Sequence, residues 1–262
     1  MKKLILVSLL ALCSLGAAAR EVKVGVQCTY PPYNYRDAAG NLKGFEIDIA
    51  REIGKRMKAD MQFVCSDFAG LIPALLSKKI DIIASSLSIT ETRKKSIDFS
   101  LPYRASTARF IGRKDAGLQP FKADNTPNPA ALKGKAVGVQ RATTNDGYLA
   151  GEFPGVEITR YDSEANLLLD LVAGRIDLAL VGPIKAKTDF LDKPEGQSYG
   201  FLGSELDARK YFGEGVAVGL RKEDQALLTE INSALKGMFD DGTFKTINLN
   251  YWNFSVQPAV WK

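Results

Sequence analysis

Ile80-Asp81-Ile82-Ile83-Ala84-Ser85-Ser86-Leu87-Ser88-Ile89-Thr90-Glu91-Thr92-Arg93 begins as an apolar strand, gives way to three serines, and ends in a charged segment that opens a helix. Open α/β sheets place ligands just beyond the carboxyl ends of their strands, and here that end is lined by hydroxyls. Arg93 follows closely enough to turn back onto the same loop. Its planar fork pairs two-point with a carboxylate, so Ser85, Ser86, Ser88 and Arg93 describe a receptor for a small carboxylate such as an amino acid. A solvated Ser/Thr turn beside a surface arginine is the alternative reading. The surrounding chain decides between them.

Upstream of this stretch, strands and helices alternate. Val24-Gly25-Val26 reads as a strand, and Tyr30-Pro31-Pro32 as a turn. A hairpin follows around Gly40-Asn41, then an amphipathic helix over 45–57, a strand over 61–64 and a helix over 69–77. The second half repeats the pattern. Val137-Gly138-Val139-Gln140 echoes Val24-Gly25-Val26-Gln27, and residues 167–180 echo 71–84, each copy passing from a helix through a basic residue into Ile-Asp and a strand. Such alternation favours parallel sheets flanked by helices and divides the chain into two βαβ lobes. Residues 117–131, rich in Pro, Asn and Asp, read as a surface excursion. The glycines of 210–219 read as an extended crossing between lobes, because their spacing fits no nucleotide loop. The final helix, over 223–240, and Tyr251-Trp252-Asn253-Phe254 are expected to pack back on the first lobe.

Composition narrows the function classes. Residues 1–19 have the form of an export signal: Lys2-Lys3, an apolar run, then Ala17-Ala18-Ala19, with cleavage expected after Ala19. Cys13 raises lipidation as a minority alternative, disfavoured by Leu12 before it. The formal charge of +5 falls to +3 without Lys2 and Lys3, and the remaining basic residues are scattered among nearly as many acids with no sustained basic run, so nucleic acid is not an expected partner. The chain contains no histidine, which removes Ser-His-Asp catalysis, HExxH metal sites and any histidine switch. No metal and no cofactor are expected. Cys28 and Cys65 follow two strand-like segments and form either a disulfide or two buried thiols.

With these motifs in place, the mature chain resembles the extracytoplasmic amino-acid-binding proteins of ABC importers, solute-binding protein family 3, and within it the lysine/arginine/ornithine- and histidine-binding branch. The resemblance rests on Thr29-Tyr30-Pro31-Pro32, Gly44-Phe45-Glu46, Asp67-Phe68, Lys79-Ile80-Asp81, the serine loop, Arg93, Ala173-Gly174-Arg175-Ile176-Asp177 and Tyr211-Phe212-Gly213. It implies an α/β, two-lobe periplasmic-binding-protein fold of type II, each lobe a mainly parallel sheet flanked by helices. Two hinge crossings would join the lobes, near 104–109 and 211–216, with residues 20–106 and 212–262 in lobe 1 and 107–211 in lobe 2. It further implies a periplasmic monomer that closes around its ligand and delivers it to a membrane-embedded ABC permease. Arg93 would hold the ligand carboxylate with Ser88 and Thr144. Ser85 and Ser86 would surround the α-substituents, Tyr30 and Phe68 would sandwich the aliphatic stem, and Thr143 and Asn145 would complete the grip at a helix start.

Two departures from the branch stand out. Gln27 occupies the place of an aspartate that pairs with a cationic side chain, and Gly182 the place of an aspartate that takes the α-ammonium. The glycine leaves room for an opine-type ligand, whose nitrogen carries a second carboxylate arm. Alternatively, Gln27 and Glu46 read a polar side chain. An exported dehydratase-like enzyme on the same scaffold is the reading from another class; it lacks an acid or base at Gly182.

Overall fold

The computed structural model describes residues 19–258 and 260. Apart from Ala19, the expected export signal, including Cys13, lies outside the described residues. Two five-stranded sheets form the centres of two lobes. In the first, the strands Ala59–Cys65, Arg20–Val26 and Ile82–Ile83 run parallel, and Gly219–Leu220 then pairs antiparallel with Ile82–Ile83 and with Asp98–Phe99. In the second, Glu157–Tyr161, Ala136–Gln140 and Leu178–Val181 run parallel, and Ala108–Arg113 pairs antiparallel with Leu178–Val181 and with Tyr199–Leu206.

The fourth strand of each sheet is the first that the chain forms after crossing over from the other lobe. That is why the expected parallel sheet occupies one half of each lobe and antiparallel pairs complete the other. Tyr103 belongs to the first hydrophobic core and Ala108 to the second; Phe212 lies in the second and Val216 in the first. The chain thus crosses twice, and Val216 bridges both Ser88 and Arg104. Gly213 and Gly215 are required here, with φ of 71° and 121°. A Cβ on Gly213 would fall 1.7 Å from the Ile89 carbonyl oxygen, so only glycine passes.

The internal repeat has a packing cause. A Cβ on Gly25 would stand 2.3 Å from Ile80 Cδ1 and 3.2 Å from Leu71 Cδ2, and one on Gly138 would stand 2.3 Å from Ile176 Cδ1 and 3.2 Å from Leu167 Cγ. Each strand therefore needs glycine where the following helix and Ile-Asp strand close over it. The aspartates repeat too. Asp81 Oδ2 accepts from the Lys23 amide at 3.0 Å, and Asp177 Oδ2 from the Ala136 amide at 2.9 Å. Gly25→Val and Gly138→Val are each expected to cost about 1–3 kcal/mol by overpacking, despite valine's preference for strands. Urea unfolding of the two variants measures this, and a neutral result at either position would remove the packing explanation.

Helix Phe45–Met57 has acids in its first turn and bases in its last, matching the helix dipole, and buries Phe45, Ile47, Ile49 and Ile53. Helix Gln225–Asp240 packs against it, and Trp252 lies 5.0 Å from Phe45, ring centroid to centroid. Cys28 and Cys65 are bonded in the structure, their Cα atoms 5.6 Å apart. In the chain-entropy model a loop of this size adds about 4 kcal/mol. Residues 117–131 are not wholly superficial: Phe121 is buried and packs edge-on against Phe110 and Phe153. Its polar flanks hid one aromatic anchor that the second core requires.

Candidate functional site

Between the lobes lies a cavity of about 770 Å³. Gln27, Tyr30, Phe68, Ser86, Ser88 and Arg93 line it from the first lobe, and Thr143, Thr144, Asn145 and Gly182 from the second. Two of the expected site residues do not reach it. Ser85 is 1% exposed, and its Oγ accepts from the Gln27 amide at 3.0 Å. Its side chain holds adjacent strand ends together and does not line the cavity. Glu46 is fully buried, accepting from Asn34 Nδ2 at 2.7 Å, Tyr103 Oη at 3.0 Å, and Ser86 N and Oγ at 2.9 and 2.8 Å. It therefore shapes the serine loop from behind. Ser86 has φ 47°, a left-handed conformation unusual for serine, and Glu46 binds both its donors in that conformation.

Arg93 is placed by Thr90, which caps the short helix Glu91–Lys94 and accepts from the Arg93 amide. Its guanidinium donates through Nη1 to the Ser88 carbonyl at 2.9 Å and through Nη2, across the cleft, to the Ala142 carbonyl at 3.0 Å. Phe68 lies beneath, 5.5 Å from Cζ to the ring centroid. No carboxylate forms a salt bridge with Arg93 among the described residues. Burial without a counter-charge lowers its pKa to about 10, so it stays charged at neutral pH and lacks an anion. Opposite it, helix Thr144–Glu152 begins. Thr143 caps this helix by accepting from the Asp146 amide, and Thr143 Oγ1 donates to the Gln140 carbonyl at 2.7 Å. Asn145 Nδ2 donates to the Leu180 carbonyl at 3.2 Å. A guanidinium facing a helix N-terminus is an anion site built from both lobes.

Other expected contacts take different forms. Gln27 Nε2 donates to Thr29 Oγ1 at 3.2 Å, and Ser88 Oγ pairs with Ser106 Oγ at 2.8 Å. The room expected beside Gly182 is occupied: the Tyr30 hydroxyl lies 3.2 Å from where a Gly182 Cβ would stand. Tyr30 also stacks on Tyr33 at 5.4 Å.

Sequence reasoning missed Tyr33, Arg104, Gln140 and Glu164, all of which line the cavity. Arg104 sits over the Tyr33 ring at 4.3 Å and donates to Ser86 Oγ at 2.9 Å, with Glu46 Oε1 3.9 Å away. It falls in a crossing, where no periodic pattern marks it. Gln140 and Glu164 carried a usable signal, because they are the repeat partners of Gln27 and Phe68.

Two lobes, two crossings and an anion-seeking cleft between them define a receptor for a small solute. The chain belongs to the bacterial extracellular solute-binding proteins, family 3, whose model matches residues 22–254. It is thus a solute-binding protein and not an enzyme. It is 40% identical to the L-arginine-binding protein of Pseudomonas aeruginosa over 98% of each chain. It is also 40% identical to the lysine/arginine/ornithine-binding periplasmic protein of Escherichia coli, over 94% of this chain and 93% of that one. An ancestral arginine-binding protein solved with arginine superposes with a TM-score of 0.80 at 31% identity, covering 89% of this chain and 98% of its own.

Proposed function

We propose that the protein captures a polar or basic amino acid, or a derivative of one, in the periplasm and presents it to a membrane-embedded ABC permease. Arg93 carries this reading: a cleft guanidinium without an acidic partner, facing a helix N-terminus, is built to receive a carboxylate. In this reading Arg93, Ser88 and Thr144 hold the carboxylate, with Thr143 and Asn145 setting the helix start. Tyr30 and Phe68 bound the stem, while Gln27, Ser86 and Gly182 border the rest. The lobes divide as 20–106 with 212–262 and as 107–211, Phe212 itself packing on the second side. The protein acts as a monomer, exported by a signal cleaved after Ala19.

An N-substituted, opine-type amino acid is the second reading. Arg104 favours it, as another guanidinium in the cleft wall able to meet a second carboxylate. Calorimetric titration with L-arginine, L-lysine, L-ornithine and N-carboxyethyl-arginine distinguishes the two readings. One of these compounds is expected to bind at one site per chain. Failure of all four would overturn the reading.

A further inference from the structure

Glu164 is the first residue of helix Glu164–Val172, which Ser163 caps, and it is 4% exposed in the second-lobe wall of the cleft. Its Oε1 is buried and meets no hydrogen-bond partner among the described residues. Burial pushes its carboxyl up to about 7, with Lys185 and the Tyr30 hydroxyl holding it down and Asp189 adding to the rise. Lys185 is already engaged, its Nζ 2.5 Å from Asp189 Oδ2, and Tyr30 is neutral. Among the described residues, Glu164 therefore lacks a cation of its own, as Arg93 lacks an anion.

The Tyr30 hydroxyl stands beside both Glu164 and Gly182. This puts the carboxyl near the tip of strand Leu178–Val181, where Gly182 itself offers no acid. We infer that Glu164 is the cation-binding carboxylate of the cleft, receiving the amino group of the ligand whose carboxylate Arg93 holds. The inference rests on the amino-acid reading above and assigns the second pole of the same ligand. A cationic amino group favours ionised Glu164. Capture near neutral pH therefore turns Glu164 from carboxylic acid to carboxylate and passes one proton to solvent. The chain has no histidine, so few other groups titrate in that window.

Titration calorimetry of the mature protein with L-arginine, between pH 6 and 8 and in two buffers of different ionisation enthalpy, tests the inference. Wild type is expected to release up to one proton per ligand. Its affinity should rise toward tenfold per pH unit below about pH 7 and level off above it. Glu164→Gln should bind at least about tenfold more weakly at pH 8 and release no proton, while its circular dichroism matches wild type. Glu164→Asp should keep the proton release at intermediate affinity. A Glu164→Gln variant with wild-type affinity and pH slope would overturn this inference alone. Wild type that binds neither L-arginine nor the other three compounds named above would instead overturn the reading on which it rests.

Discussion

Arg93→Ala is expected to weaken ligand binding by about two to three orders of magnitude. Truncating one member of a desolvated, hydrogen-bonded charge pair costs about 2–5 kcal/mol, and each 1.4 kcal/mol is tenfold in affinity. The loss exceeds the bottom of that range because the guanidinium bridges the lobes, from the Ser88 carbonyl to the Ala142 carbonyl. Its loss removes a closing contact together with the anion site. Ala142 has φ 60°, and this left-handed turn aims its carbonyl at Arg93, so the second lobe also commits backbone geometry to the contact. Arg93→Lys is expected to fall between the two, since a point charge cannot bond both carbonyls and a two-oxygen acid at once.

Burial lowers the Arg93 pKa to about 10 against an ordinary 12.5, which leaves the guanidinium charged across the neutral range. Any pH dependence between 6 and 8 therefore belongs to another group. Calorimetry at pH 8 measures the affinity loss. An Arg93→Ala protein that binds within fivefold of wild type would show that the carboxylate is held elsewhere.

The architecture was legible because its determinants are periodic. Helix Phe45–Met57 has the bounds that its apolar spacing predicts, and the two Val-Gly-Val strands need their glycines for the same contact with a downstream isoleucine. The anion half of the cleft was equally legible, since serines at a strand tip and an arginine at a helix start are local signals. What escaped depends on tertiary proximity. Ser85 and Ser86 are adjacent in sequence, yet a single left-handed residue sends one side chain into the sheet and leaves the other at the cleft. Gly182 reads as open space until Tyr30, far away in the chain, is seen to fill it. Glu164 was within reach: extending the 71–84 and 167–180 alignment three residues upstream pairs it with Phe68, already expected in the site. The repeat is marked by its apolar positions, and the exchange of an aromatic for an acid lies just beyond them.

Glu46→Ala is expected to cost about 3–5 kcal/mol of stability, the range for breaking a buried charged network by removing one partner. The glutamate takes four hydrogen bonds from three segments, the hairpin through Asn34, the serine loop through Ser86 and the first crossing through Tyr103. All of these donors lose their acceptor, each at about 1–3 kcal/mol if it finds no water. The Ser86 amide is the worst placed, because its left-handed backbone has no other evident compensation. Arg104 also loses its nearest carboxylate, at 3.9 Å, while its Nε is already buried without a partner among the described residues. The damage therefore spreads to the cleft wall, and ligand affinity falls with stability. Glu46→Gln separates shape from chemistry. It preserves volume but turns one accepting oxygen into a donor that faces Asn34 Nδ2 or the Ser86 amide, so it should also destabilise, by about 1–3 kcal/mol. Urea unfolding with a common m-value reads both variants. A loss below about 1 kcal/mol for Glu46→Ala would mean that water satisfies the orphaned donors and that the serine loop holds its conformation without the acid behind it.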